Sequence, residues 1–310
     1  MAYNKSSLKV YRDTVSLLTE GWPTPLVRLK TISTNDREAW AKLEFYNPFS
    51  RSVKDRPVWN MLRKAFRENV VVKKIYETSS GNVAISLAAL CNIHNIDLTV
   101  FLPKFTPQST KKILAILNAK YVETDYESII PDFWRWVSEK ASREGAINLN
   151  QFENDANPEI HYETLAREII EQLESIGKKP DMVFAGIGTS GHIYAIWKRV
   201  RKKYGKSVKV IGVQPAKDSR IPGIKRIETG PKWISRVELD AIIDISREEA
   251  IEGVVRLART EGLLVGLSSG AVYQAYRRYH GGKGVAVLVF PDDIYKYIDI
   301  VYEYLLQQEK

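Results

Sequence analysis

The chain has 310 residues, 44% of them apolar, enough to bury a sizeable core in one large domain or two moderate ones. Lysine and arginine number 46 against 37 acidic residues, a net charge of +9, but much of the excess falls at Lys198, Arg199, Arg201, Lys202, Lys203, Lys206 and Lys209, where a helix C-terminus favours cations. That distribution argues against nucleic acid as a partner and for attraction of small anionic substrates, while the single cysteine, Cys91, excludes an intrachain disulfide or a cysteine-rich metal site. No apolar run reaches the roughly 18 residues of a membrane span, and Met1 to Lys9 lacks the apolar core of a secretory signal, so no membrane and a cytoplasmic location are expected.

In chain order, Asn47-Pro48-Phe49-Ser50-Arg51-Ser52-Val53-Lys54-Asp55-Arg56 sets a lysine after a turn-prone stretch and before a helical pattern at Val58 to Arg67. A lysine whose amine is kept partly neutral can form a Schiff base, although most lysines merely face solvent. Val70 to Tyr76 reads as a strand, Asn82 to Asn95 as a helix, in which Cys91 falls on the apolar face, and Leu98 to Leu102 as a second strand. Between the first two, Glu77-Thr78-Ser79-Ser80-Gly81-Asn82 brings hydroxyls and backbone amides to a helix N-terminus, which suits a carboxylate as well as an ordinary cap. Lys111 to Asn118 and Lys120 to Glu123 repeat the helix–strand pattern. So do Met182 to Ala185, Ile193 to Tyr204, Val208 to Val213, Glu248 to Glu261 and Val285 to Phe290. This alternation predicts an α/β protein with parallel sheets flanked by helices, whose ligands sit at the carboxyl ends of the strands.

Two more loops fit that placement. Gly186-Ile187-Gly188-Thr189-Ser190-Gly191 follows a strand and opens a helix, so its amides can surround a phosphate. The same pattern fits a dinucleotide fingerprint, but that needs an acidic residue about 20 positions on, and the next strand ends at Val213-Gln214-Pro215. A phosphomonoester cofactor is favoured over NAD. Gly266-Leu267-Ser268-Ser269-Gly270-Ala271, after a strand-like Leu263 to Val265, offers serine hydroxyls at a further turn. An NAD-linked oxidoreductase and a basic nucleic-acid-binding module stay open as readings from other classes; a yellow protein would argue against both.

Together and in this order these segments resemble the fold type II (tryptophan synthase β-like) enzymes that use pyridoxal 5′-phosphate, and most closely the cysteine synthases, the O-acetylserine and O-phosphoserine sulfhydrylases. The similarity runs from Pro23-Thr24-Pro25-Leu26 to Val289-Phe290-Pro291-Asp292. It implies that Lys54 forms the Schiff base and moves the α-proton, that Asn82 meets the cofactor's 3′-oxygen, that Gly188, Thr189, Ser190, Gly191 and His192 wrap its phosphate, and that Ser268 faces the pyridine nitrogen. Thr78, Ser79, Ser80 and Gln151 would hold the substrate α-carboxylate. A serine at the ring nitrogen does not stabilise a protonated ring, so prompt loss of a β-substituent, an aminoacrylate and its capture by sulfide are the expected path. Two features depart from the family pattern: Lys54 stands seven residues after Asn47, one more than is commonest, and His192 stands where many members have threonine.

The stretch Ser219-Arg220-Ile221-Pro222-Gly223-Ile224-Lys225-Arg226 resembles the corresponding region of sulfhydrylases that accept larger or phosphorylated substrates. O-phosphoserine is therefore the favoured activated serine and O-acetylserine the next, with Arg226 first and Arg220 second as phosphate ligands. Cystathionine β-synthase and serine or threonine dehydratase are the alternatives within the fold. The resemblance also implies a homodimer and two domains, residues 1–40 with 146–310 forming a large cofactor-binding domain and 41–145 a small mobile one.

Overall fold

The computed structural model describes residues 8–68 and 71–308. Val70, where one predicted strand begins, lies outside them, as do residues 1–7 of the N-terminal stretch. The chain opens with α1 (Thr14–Thr19), closed by a capping box between Asp13 and Ser16, then β1 (Leu26–Arg28) and β2 (Arg37–Leu43). There follow α2 (Asp55–Arg67), β3 (Lys74–Thr78), α3 (Asn82–Ile93), β4 (Asp97–Leu102), α4 (Gln108–Ile116), β5 (Lys120–Glu123) and α5 (Pro131–Arg143). The rest is α6 (Ala156–Glu163), α7 (Leu165–Glu174), β6 (Met182–Gly186), α8 (Gly191–Tyr204), β7 (Lys209–Pro215), β8 (Ala241–Ile245), α9 (Arg247–Glu261), α10 (Leu267–Arg278), β9 (Gly284–Phe290) and α11 (Ile298–Gln308). No described helix is long and apolar enough to cross a membrane.

Two sheets result. The larger has the order β1-β2-β9-β6-β7-β8, parallel except for the β1–β2 pair, and the smaller is the parallel set β3-β4-β5. An isolated bridge from Ile75 to Ile147 extends the smaller sheet by one residue pair. β2 stays in the large sheet as far as Leu43, pairing with Phe290 of β9. The sheets therefore part company a few residues beyond position 40.

Burial on both faces explains why the central strands read as unbroken apolar runs. In β9, Ala286, Leu288 and Phe290 join the core under α9 and α10, whereas Val285, Val287 and Val289 join the core under α7 and α8. β6 divides likewise into Met182 and Phe184 against Val183 and Ala185. At about 25 cal/mol per Å² of apolar surface, each such fully buried side chain contributes roughly 1.5–3 kcal/mol before conformational entropy is subtracted. In the smaller sheet, α2, α3 and α4 cover one face, and α5 covers the other with Phe133 and Val137 against Tyr76 and Phe101. Cys91 is buried in the first of these layers, where burial pushes its thiol up to about 12 and leaves it inert.

The predicted strand at Leu263 to Val265 is a correction: that stretch makes only a single bridge, Val265 to Asp293. Its carbonyl-side neighbour Gly266 already begins the turn into α10, so Ser268 and Ser269 stand on the first helical turn. α10 lies unusually close to α9. A Cβ on Gly253 would fall 2.4 Å from the Gly270 carbonyl oxygen, and one on Gly270 would fall 2.1 Å from that of Ala250.

Candidate active site

Lys54 is the N-cap residue of α2, and the loop before it is tied down at both ends. The buried Asp55 carboxylate accepts from the Phe49 amide at 2.8 Å, the Ser50 amide at 3.0 Å and the Ser50 hydroxyl. Arg51 takes a left-handed φ of 51°, which accommodates the seven-residue spacing from Asn47. The Val53 amide donates to the Pro291 carbonyl at 2.8 Å and Ser52 forms a bridge with Asp292, so the segment after β9 holds the lysine in place. Beneath it, Arg56 spans Glu44 and Glu168 at 2.6–2.9 Å, and Lys42 reaches Glu168 at 2.7 Å, a fully buried network. Burial holds the Lys54 amine below the ordinary lysine range, opposed by the charges of Asp292 and then Glu44. An amine in that state is a competent nucleophile toward an aldehyde.

The glycine loop sits at the carboxyl end of β6. Ser190 adopts a left-handed φ of 66° as the N-cap of α8, and its hydroxyl accepts from the Trp233 amide at 3.2 Å. Gly188 approaches the Gly223 carbonyl so closely that a Cβ would lie 2.5 Å from its oxygen, and at Gly191 a Cβ would lie 2.3 Å from Asn157 Oδ1. Asn157, from α6, donates to Thr189 Oγ1 at 3.2 Å and to the Gln151 carbonyl at 2.8 Å. His192 is buried on the first turn of α8 with its ring centroid 6.0 Å from that of His161. Burial, and then the Lys54 charge, push the His192 imidazole down to about 3, so it is neutral here.

At the carboxyl end of β3, Thr78 and Ser79 are buried and Ser80 is exposed. The Ser79 hydroxyl accepts from the amides of Gly81 at 3.2 Å and Ala84 at 3.1 Å, so it is engaged as the cap of α3. Gln151 donates to the Thr78 carbonyl at 3.1 Å, bringing the 150–152 turn against this loop. Glu77 fixes the same junction by accepting from the amides of Thr78 at 3.1 Å and Asn150 at 2.9 Å. Asn82 donates to Asp292 at 2.9 Å. Ser268 is buried, and a Cβ on Gly223 would lie 3.8 Å from its Oγ, which puts it beside the glycine loop's neighbour.

The three cations of the 219–226 segment have separate fates. Arg226, ranked first from sequence, is not brought to this cluster as a free cation: its guanidinium meets Asp244 at 2.7 Å, Glu228 at 2.9 Å and the Pro215 carbonyl at 2.8 Å. Arg220 is exposed, paired with Glu127 at 2.7 Å and lying 5.0 Å from the Phe105 ring centroid. Lys225 has no carboxylate within 4.0 Å among the described residues, and burial lowers its amine to about 8. It donates to the Ile129 carbonyl, lies over the Phe152 ring at 4.8 Å, and lines with Gly188 and Trp134 a narrow cleft of about 30 Å³. The sequence reading counted Lys225 only as a neighbour of the two arginines. Glu77 and Asp292 stood in its segments without a role, and Asn157 was not singled out, because no local pattern marks what these side chains meet.

The donor set suits a phosphorylated pyridine aldehyde. Buried Thr78 Oγ1, Asn82 Oδ1, Asn157 Oδ1 and His192 Nε2 have no hydrogen-bond partner among the described residues, although such atoms are ordinarily paired. Thr78 and Asn82 come from the loop after β3, His192 from the first turn of α8 and Asn157 from α6 packed against Gly191. Over residues 17–292 the chain matches the family described as "Pyridoxal-phosphate dependent enzyme", and it belongs to that family. It is similar to a cysteine synthase of Staphylococcus aureus strain Mu50, 31% identical over 290 residues that cover 89% of this chain and 92% of the relative. It is also similar to the N-(2-amino-2-carboxyethyl)-L-glutamate synthase of Cupriavidus metallidurans, 33% identical over 306 residues covering 90% and 87%. Among solved structures, O-ureido-L-serine synthase shares the fold, with a TM-score of 0.85 at 24% identity over 95% of this chain and 96% of that one. The chain is thus a fold type II enzyme whose cofactor is pyridoxal phosphate.

Proposed function

We propose that this enzyme makes L-cysteine by replacing the β-substituent of an activated serine with sulfide, O-phosphoserine being the favoured substrate and O-acetylserine the next. The cysteine synthases among its relatives support the reaction type, and the observation that carries the reading is Lys54, a partly desolvated amine where the loops after β3, β6 and β9 converge. When bound, pyridoxal phosphate supplies an electron sink for a bond at the substrate α-carbon. Lys54 would hold the cofactor covalently, and its Nζ would move the α-proton. Gly188, Thr189, Ser190, Gly191 and His192 would hold the phosphate, Asn82 the ring 3′-oxygen and Ser268 the pyridine nitrogen. Thr78, Ser80 and Gln151 hold the substrate carboxylate, with Ser79 shaping their loop as its cap.

For the leaving group, Lys225 replaces Arg226 as the cation of choice, since Arg226 is already neutralised by two carboxylates and Lys225 faces none. A buried ammonium without a counter-ion is costly unless an anion arrives. Lys225→Ala is expected to raise KM for O-phosphoserine by about 10-fold or more, the worth of a hydrogen bond to a charged group, and to leave O-acetylserine kinetics within about twofold. Equal kinetics for O-phosphoserine in Lys225→Ala and wild type would remove phosphate recognition by this residue. The parent reading is tested by the visible spectrum of the cofactor-loaded enzyme on adding each activated serine separately, with cysteine assayed after sulfide. No spectral response to either compound would discard it.

Residues 41–145 form, in this proposal, a small domain that closes over the substrate, because Lys54 and the Thr78–Asn82 loop belong to it while Gln151, the glycine loop and Ser268 do not. The pairs Arg220–Glu127 and Ser109–Lys296 join the two sides in the present conformation. Tryptophan fluorescence is expected to change on substrate addition, Trp134 lining the cleft. The homodimer implied by the family resemblance is checked by light scattering.

A further inference from the structure

The segment after β9 carries a carboxylate that the functions above leave unassigned. Asp292 is buried, accepts at Oδ2 from Asn82 Nδ2 at 2.9 Å and from the Tyr297 hydroxyl at 2.7 Å, and leaves Oδ1 buried without a partner. Its backbone bridges Ser52, two residues before Lys54, and accepts from the Gly266 amide at 2.9 Å. A Cβ on Gly266 would lie 2.1 Å from the idle oxygen, so glycine is what leaves room for it.

We propose that Asp292 is a positioning residue that serves as the counter-ion of Lys54 and at the same time fixes the orientation of the Asn82 amide. The two donors on Oδ2 leave Oδ1 enclosed without one, and a nearby positive charge offsets the cost of burying it. Lys54, two residues past the Ser52 bridge, is the cation whose amine it raises against the larger effect of burial, and it does so from beyond 4.0 Å, since no ion pair joins the two among the described residues. The other charges nearby are spoken for: Glu44 is paired with Arg56, Asp293 with Arg51 at 2.5 Å and Lys296 at 3.2 Å, and His161 and His192 are neutral. Tyr297 stays a phenol, because burial and then Asp292 push it well above its ordinary range, and so it remains a donor. One carboxylate thus ties the proton on the cofactor lysine to the amide that faces the cofactor ring.

This rests on Lys54 carrying the cofactor. The test is a pH titration of the visible band of cofactor-loaded full-length protein, with the lysine adduct verified by borohydride reduction and peptide mapping. Asp292→Asn, nearly isosteric, is expected to lower the midpoint by about one pH unit or more, since an opposite charge at close range moves a pKa by about 1–3 units. Tyr297→Phe, which removes a donor that competes with the lysine for the carboxylate, is expected to move the midpoint upward, and it provides the readout should Asp292→Asn fail to fold. Midpoints unchanged in the variants that fold overturn the assignment while leaving the cofactor on Lys54. A wild-type protein without a pyridoxyl adduct on Lys54 overturns both.

Discussion

Glu77 and Glu168 are both buried, yet their surroundings drive them in opposite directions. Around Glu168 burial would raise the carboxyl, but the charges and hydrogen bonds of Arg56 and Lys42 outweigh it and hold it near about 2. Glu77 meets only the amides of Thr78 and Asn150, and burial pushes it up to about 8. The folded Glu168 carboxyl binds its proton more weakly than the unfolded one, so its stabilisation is present above about pH 4.5 and is lost as pH falls toward 2. For Glu77 the sign reverses: its contribution is present below about 4.5 and fades as pH rises through 8. Urea midpoints at pH 5 and pH 8 should therefore show wild type losing ground to Glu77→Gln as pH rises; parallel curves would refute this. Arg56→Met leaves Glu44 without its cation in the interior and Glu168 with Lys42 alone, and should cost about 3–5 kcal/mol in urea unfolding at pH 7.

At the scale of elements, the α9–α10 contact is the least forgiving. Adding a methyl at Gly270 drives it into the Ala250 carbonyl, a backbone atom that cannot rotate away, so Gly270→Ala should cost about 1–3 kcal/mol and shift Ser268 on the same helix turn. A lower thermal midpoint together with an altered visible spectrum would record both effects. The same helix shows where sequence reading runs out. Leu267 to Ala271 looks like a turn because glycine and two serines carry little helix preference, and only packing on α9 makes it helical. β6 and β9 were legible because both faces are buried and the apolar run is unbroken. β2 was not, since Arg37, Glu38 and Lys42 interrupt it, and Lys42 is tolerated inside only because Glu168 of α7 meets it. The site divides in the same way. Lys54 and the glycine loop stand in contiguous motifs, whereas Lys225, Asn157 and Asp292 acquire meaning through neighbours more than thirty residues away.

Over the whole molecule, the basic excess is less free than its count suggests. Arg201 meets Asp240, Lys203 meets Glu174 and Lys206 meets Glu238, so the positive tract at the end of α8 is largely met by carboxylates. The remaining net charge of +9 still favours approach of a phosphorylated substrate. Raising ionic strength toward about 1 M, where the Debye length falls to about 3 Å, should lower kcat/KM for O-phosphoserine several-fold and hardly alter that for O-acetylserine. Equal salt sensitivity for the two would place the charge effect outside substrate capture. The bridge from Ser52 to Asp292, finally, joins positions 240 residues apart and sets an order of events during synthesis. A ribosome-bound chain that has released Lys54 but not β9 presents that amine to solvent, so the enclosure around it is completed only after the segment behind β9 has emerged.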